Sequence, residues 1–171
     1  MTNRDIELSN EVRSALEERK PIIALESTVI AHGLPYPHNI ETAKTMEDIA
    51  RGNGVVPATI GVVRGKIIVG MSEAQINEML EDEPLKIGTR EIPYAVALKK
   101  SAATTVSATM RIAKLVGINV FATGGIGGVH MGEWDVSQDI TEMAKSDVIV
   151  VSAGCKSILD VRKTIEFLET F

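Results

Sequence analysis

A chain of 171 residues with 44% hydrophobic and 24% charged residues has the composition of a soluble globular protein, and no apolar run approaches the ~18 residues needed to cross a bilayer. Its 18 basic residues against 23 acidic ones leave a net charge of −5, which argues against broad attachment to nucleic acid or anionic lipid, so any phosphate ligand is small and locally held. The opening "MTNRDIELSNEVRSALEERK" holds no apolar core of a signal peptide, and a single cysteine forms no internal disulfide; both point to a reducing cytoplasm.

Apolar runs alternate with amphipathic stretches, the rhythm of a layered α/β fold, and the length suits one domain spanning 1–171. A helix around 9–19 leads to the strand "PIIALEST", after which Asn39 is a plausible N-cap for a helix whose inner face is Ile40, Ala43, Met46 and Ile49. "ATIGVVRGKIIVGMS" reads as two strands joined at Gly65. Ser72 and Gln75 have the spacing of a capping box ahead of Ile76, Met79 and Leu80. A further helix runs from Thr105 to Val116 and closes at Gly117; "INVFATGGIGGVH" then carries a strand into a glycine-rich turn. A short helix over 137–145 precedes Val148 to Val151, a β-branched run of the kind buried in parallel sheets. Ile158, Val161, Ile165 and Leu168 form one face of a last helix, and "TIEFLETF" ends within that pattern as though cut.

Several groups in this frame could do chemistry. Lys156 falls beyond the end of a strand and at the expected start of a helix, where the helix's positive end and partial burial would both disfavour an ammonium and favour a nucleophilic amine. The competing reading is a lysine whose stem covers apolar surface. Glu26 follows an apolar strand in the same way, so burial would raise its pKa toward that of a general acid; it could equally cap a backbone group or pair with a cation. "TGGIGG", Thr123 to Gly128, places four glycines in five positions and could aim N–H groups at an anion, or be only a tight turn. Asp135 and Asp139, with Ser137 between them, suit a hard cation such as Mg²⁺ or Mn²⁺, or simply complement a helix dipole. Lys86, Thr104, Thr105 and Ser107 add a cation and hydroxyls where a helix begins. His130 could contact a ligand, whereas His32, His38 and Trp134 lack the spacing of a zinc site and receive no catalytic role.

Taken together, "ALESTVIAHGLPYP", "GTREIPYAV", "ATTVSATM", "FATGGIGGVH", "DVSQDI" and "AGCKSILD" resemble the pseudouridine-5′-phosphate glycosidase family, which includes the indigoidine synthase A-like proteins. The resemblance covers nearly the whole chain as the N-terminal portion of a longer protein. It implies a three-layer α/β/α fold with a mixed, largely parallel sheet, truncated at the C-terminus. It also implies a Mn²⁺-dependent (or other divalent-cation-dependent) homotrimer that reversibly splits pseudouridine 5′-phosphate into uracil and ribose 5-phosphate. By motif position, Glu26 corresponds to the proton donor and Lys156 to the nucleophile. Lys86, Val106, Ser137, Gln138 and Asp139 correspond to substrate contacts, and Asp135 to the metal ligand. Two other readings compete: another Schiff-base lyase or aldolase acting on a sugar phosphate, and a non-catalytic, truncated sugar-phosphate-binding module. All the enzyme readings require Glu26, Lys86, the glycine turn, Asp135 and Lys156 to converge at the carboxyl ends of the strands.

Overall fold

The structure, a computed structural model, describes residues 5–132 and 134–171. Residues 1–4 of the leader reading and Glu133 of "EWDVSQDI" lie outside the described residues. The chain opens with β1 (Ile6–Leu8) and α1 (Asn10–Glu17), whose first turn is capped by Ser9 accepting from the Val12 amide. Next come β2 (Ile22–Glu26), one turn of wide helix (Val29–Gly33) and α2 (His38–Gly52). The hairpin β3 (Val56–Val63) and β4 (Lys66–Val69) turns through Arg64 and Gly65, both left-handed at φ 45° and 82°, the pairing a tight antiparallel turn requires. The Ser72–Gln75 capping box forms as expected and starts α3 (Glu73–Glu81). β5 (Leu85–Ile87), a 3₁₀ turn (Thr89–Glu91), α4 (Ile92–Ala97), β6 (Ala102–Thr104) and α5 (Val106–Val116) follow, with Gly117 closing α5 at φ 83°. The remainder is β7 (Val120–Ala122), β8 (Val129–His130), α6 (Gln138–Met143), β9 (Ile149–Val151), β10 (Leu159–Asp160) and α7 (Val161–Leu168).

Among the described residues, eight strands form one mixed sheet with a path of β1-β4-β3-β2-β7-β9; β6 also pairs with β3 and β5 with β6. Side chains alternate across it as strand geometry demands. Ala58, Ile60 and Val62 of β3 pack with Val12, Ala95 and Met110 from α1, α4 and α5, while Val63 and Ile68 pack on the other face with Ala43, Ile76 and Met79 from α2 and α3. This is the expected three-layer α/β/α arrangement.

The direction of β6 positions the site. β2 runs parallel to β3 as far as Glu26, opposite Ile60, whereas β6 runs antiparallel to the same strand, with Ala102 opposite Val62 and Ala103 opposite Gly61. Their carboxyl ends therefore meet on β3. Buried hydroxyls seal the junction: the Thr104 amide donates to Ser27 Oγ at 2.9 Å, Thr104 Oγ1 donates to the Ile60 carbonyl at 2.7 Å, and Thr109 Oγ1 donates to Thr104 Oγ1 at 2.9 Å. Thr104 is thus a structural hydroxyl and not part of an open phosphate cradle.

Three local expectations are corrected. Pro37, not Asn39, precedes α2; Asn39 lies inside the helix with its side-chain amide donating to the buried Ile30 carbonyl, and Ile49 is exposed. β9 is an edge strand instead of a strand buried on both faces, with Ile149 64% and Val151 56% exposed. The last helix begins at Val161, past Ile158. The side chains of Ile158, Val161 and Ile165 are exposed, and Thr164 is the buried member, accepting from the Val129 amide and donating to the Asp160 carbonyl.

Replacing Thr104 by Val keeps the shape but leaves the Ile60 carbonyl without its donor in a sealed junction. The expected loss is about 1–3 kcal/mol of unfolding free energy in urea denaturation, with Thr104→Ser recovering most of it. A Val variant within 0.5 kcal/mol of the parent (roughly the scatter of neutral surface changes) would contradict the junction's importance.

Candidate active site

The cleft lies where the strand ends meet and has two compartments, of about 360 and about 450 Å³. Glu26, Thr28, Lys86 and Lys156 line both, so they stand at the partition. The first compartment is walled by Val106 and Ser107 at the start of α5, by Gly127, and by Ser137, Gln138 and Asp139 at the start of α6. The second is walled by His32, Gly33, Gly124, Gly154 and Cys155. Glu26, Lys86, the glycine turn and Lys156, far apart in sequence, thus converge as expected, whereas Asp135, expected with them, lines neither compartment.

Glu26 reaches the partition because β2 ends there. Thr123, at the end of neighbouring β7, donates its hydroxyl to the Glu26 carboxylate. Burial pushes the carboxyl's pKa above its ordinary value of 4.5, and the Asp139 carboxylate adds to the rise. The Thr123 hydroxyl and the ammonium groups of Lys156 and Lys86 oppose it without cancelling it. Lys156 itself is exposed, and α7 begins at Val161, so the lysine has neither the partial burial nor the place at a helix start that the sequence suggested. The backbone holds it instead. The Lys156 amide donates to the Ile126 carbonyl at 3.1 Å, and the Ile126 amide donates to the Gly154 carbonyl at 3.0 Å. That ladder joins the lysine loop to the glycine turn.

Two amides of the turn are engaged within the protein. The Gly127 amide donates to Asp139 Oδ2 at 2.8 Å and the Gly125 amide approaches Thr123 Oγ1 at 3.4 Å, so these donors already have partners. The last two glycines are there for room: a Cβ on Gly127 would lie 2.2 Å from Ser137 Oγ, and one on Gly128 would lie 2.4 Å from Thr164 Oγ1. Asp139 is likewise not a free ligand, because its other oxygen, Oδ1, accepts from the Ser107 amide at 2.9 Å. It is a buried carboxylate at the amino end of α5, capping that helix from another element and favoured by its dipole.

Asp135 does not pair with Asp139. It is exposed, with Oδ2 3.7 Å from His130 Nε2, and among the described residues no three His, Cys, Asp or Glu side chains gather as a metal site. Val106 and Ser137 line the first compartment as expected; Ser137 caps α6 by accepting from the Asp139 amide at 3.2 Å. Gln138 lines it too, but its side chain is already bound to Glu91 and to the Arg90 amide. Glu91 and the Thr123 hydroxyl line the cleft without a role having been expected for either, and His32, given no catalytic role from sequence, lines the second compartment.

Comparisons with known proteins bear on the family and the fold. The sequence family described as indigoidine synthase A like protein matches residues 11–171. A protein of Fervidobacterium nodosum named pseudouridine-5′-phosphate glycosidase is 81% identical over 164 residues, covering 96% of this chain and 55% of the relative. A Thermosipho africanus protein of the same name is 68% identical, covering 96% and 56%. The chain therefore spans little more than half the length of these relatives. An indigoidine synthase A-like protein of Thermotoga maritima has a solved structure with a TM-score of 0.90 at 48% identity, over 96% of this chain and 55% of that one. The prealnumycin C-glycosynthase AlnA, solved with ribulose 5-phosphate, gives 0.89 at 43% identity, over 99% and 56%.

The raised Glu26 pKa fixes a sign for stability. Between pH 4.5 and the folded value, the folded chain keeps a proton that the unfolded chain has lost, so stability falls as pH rises through that interval and is level above it. Glu26→Gln removes the titration. Urea denaturation should show the variant gaining on the parent as pH rises from 4 to 8; a parent that instead gains on the variant would show Glu26 stabilised as an anion.

Proposed function

This chain belongs to the indigoidine synthase A-like protein family, and from that premise we propose that it acts as a pseudouridine-5′-phosphate glycosidase, reversibly cleaving the carbon–carbon glycosidic bond to give uracil and ribose 5-phosphate. The observation that carries the reading is the partition: an acid with a raised pKa and a lysine stand together where two compartments meet. In this reading the first compartment takes the sugar phosphate, facing Lys86, Ser137 and the start of α5, and the second takes the base. The relative solved with a pentulose phosphate, itself a C-glycosynthase, supports a five-carbon sugar phosphate and this bond type.

The bond dictates the chemistry. Its leaving atom is carbon, so protonating a heteroatom, as paired-carboxylate glycosidases do, is unavailable. Lys156 as a neutral amine attacks C1′ as the bond from C1′ to the ring oxygen breaks, and the proton that the new ammonium gives up to become a secondary amine makes the ring oxygen a hydroxyl. The nitrogen lone pair then forms an iminium as the C1′–C5 bond breaks, while Glu26 delivers a proton to the departing uracil carbon. Water hydrolyses the iminium to the aldehyde of ribose 5-phosphate and restores the amine. Thr123 orients Glu26 throughout.

Among the described residues a divalent cation such as Mn²⁺ fits as a water-rich ion on the exposed Asp135 carboxylate, since these residues offer no chelating cluster. No step above runs through it. We extend the family reading to a cytoplasmic homotrimer; no helix among the described residues is long and apolar enough to cross a membrane. One observation favours a second reading, a sugar-phosphate-binding module without turnover: Lys156, the group asked to act as nucleophile, is exposed.

The two readings separate in one assay. With pseudouridine 5′-phosphate, chromatography should show uracil and ribose 5-phosphate released, with Lys156→Ala abolishing release and Glu26→Gln slowing it by roughly 10²–10⁴-fold, the usual worth of a positioned acid. Calorimetric binding of ribose 5-phosphate without release would favour the module, and neither binding nor release would overturn both.

A further inference from the structure

Gln138 sits between Ser137 and Asp139 on the wall of the first compartment, yet its side chain faces away from any ligand role. Its Nε2 donates to Glu91, 3.0 Å from Oε2 and 3.3 Å from Oε1, and its Oε1 accepts from the Arg90 amide at 3.0 Å. Glu91 Oε2 also accepts from the Gly88 amide at 3.0 Å, and Glu91 Oε1 accepts from Arg90 Nε at 2.9 Å. Gly88 leaves room for this, because a Cβ there would lie 2.8 Å from the Gln138 side-chain amide. We propose that Glu91 and Gln138 form a clip, a pair of positioning residues that fixes the width of the sugar-phosphate compartment by joining the strand end carrying Lys86 to the helix start carrying Ser137 and Asp139.

The chemistry of the pair explains why these residue types are needed. Position 138 must donate to a carboxylate and accept from a backbone N–H at once, which an amide does and a carboxylate or hydrocarbon does not. Lys86 lies two residues before Gly88, and Ser137 one residue before Gln138, so the clip spans the compartment's mouth by the shortest route along each backbone. A second tie lies deeper: Thr89 Oγ1 donates to the buried Glu142 at 3.1 Å, and Arg111 Nη2 donates to the same oxygen at 3.0 Å. The deep tie holds the 3₁₀ turn to α6, so breaking the clip loosens the rim and not the fold. Opening the rim moves Lys86 relative to Ser137, which weakens any anion held by both.

The test is a swap. Gln138→Glu sets two carboxylates against each other; Glu91→Gln combined with Gln138→Glu restores the side-chain donor, a side-chain acceptor for each of the Gly88 and Arg90 N–H groups, and the single charge. For Gln138→Glu, ribose 5-phosphate affinity by calorimetry should fall about tenfold, the effect of losing a hydrogen bond to a charged partner. Amide hydrogen exchange over 88–91 should speed up. The double variant should return both to within about threefold of the parent, a residual of roughly half a hydrogen bond. The ligand rests on the proposed function, but exchange does not: a parent that binds no ribose 5-phosphate while exchange follows the swap overturns that reading and keeps the rim clip. Unchanged exchange in Gln138→Glu, or a double variant no better than the single, overturns the clip. Faster exchange with unchanged affinity overturns its positioning role.

Discussion

Everything in the cleft depends on two strands ending against each other on a third. β2 approaches Ile60 from one direction and β6 from the other, and strand ends that would ordinarily be separated by a loop are instead sealed by the Ser27 and Thr104 hydroxyls. Carboxyl ends of strands in α/β sheets face the loops and helix starts that can carry chemistry. Here two sets of them open on one space, so Glu26 comes from β2, Lys86 from β5 alongside β6, and Val106 from the helix that β6 feeds. A fully parallel sheet would not bring these groups together.

Asp139 supports the junction from the other side. Burying a carboxylate is unfavourable unless its oxygens are satisfied, and both are, one by α5 and one by the glycine turn. The price is borne by Glu26, whose neighbouring charge makes its own ionisation harder. A residue that reads as a ligand is therefore a brace with an electrostatic consequence: it fixes the geometry of the wall and keeps the acid closer to its protonated form. Lys156 takes its place at the partition from the ladder between Ile126 and the lysine loop.

What was legible in the sequence is what local forces decide. The Arg64–Gly65 hairpin, the Ser72–Gln75 box and the Gly117 stop are short-range signals, and they formed. Of the residues expected at the cleft, Glu26 and Lys156 were legible because each stands at or beyond the end of an apolar run, and Lys86, inside a three-residue strand, through the family resemblance. Long-range partners were not. Asn39 has the residue type of a cap but is drawn into the helix by the Ile30 carbonyl, and Asp139 looks like a first-turn acid until α5 and Gly127 are known to lie beside it. Periodicity in α7 marks an apolar face correctly but does not say whether anything packs on it; Thr164 is buried because β8 needs an acceptor for Val129. The direction of β6 leaves no trace in a strand of three small residues.

We propose that the partition presents Lys156, and not Lys86, to the carbonyl carbon of a sugar phosphate. Both lysines line both compartments, so proximity alone does not choose between them. The choice comes from Glu26 and the loop ladder, together with the motif that the family shares. Borohydride reduction in the presence of ribose 5-phosphate, followed by peptide mass spectrometry, reads the choice directly because it freezes the iminium as a stable amine. The account predicts label on the peptide containing Lys156, retained in Glu26→Gln and lost in Lys156→Arg, since a guanidinium stays protonated and forms no iminium. Label on Lys86, or none from a protein that demonstrably binds the sugar phosphate, would contradict it.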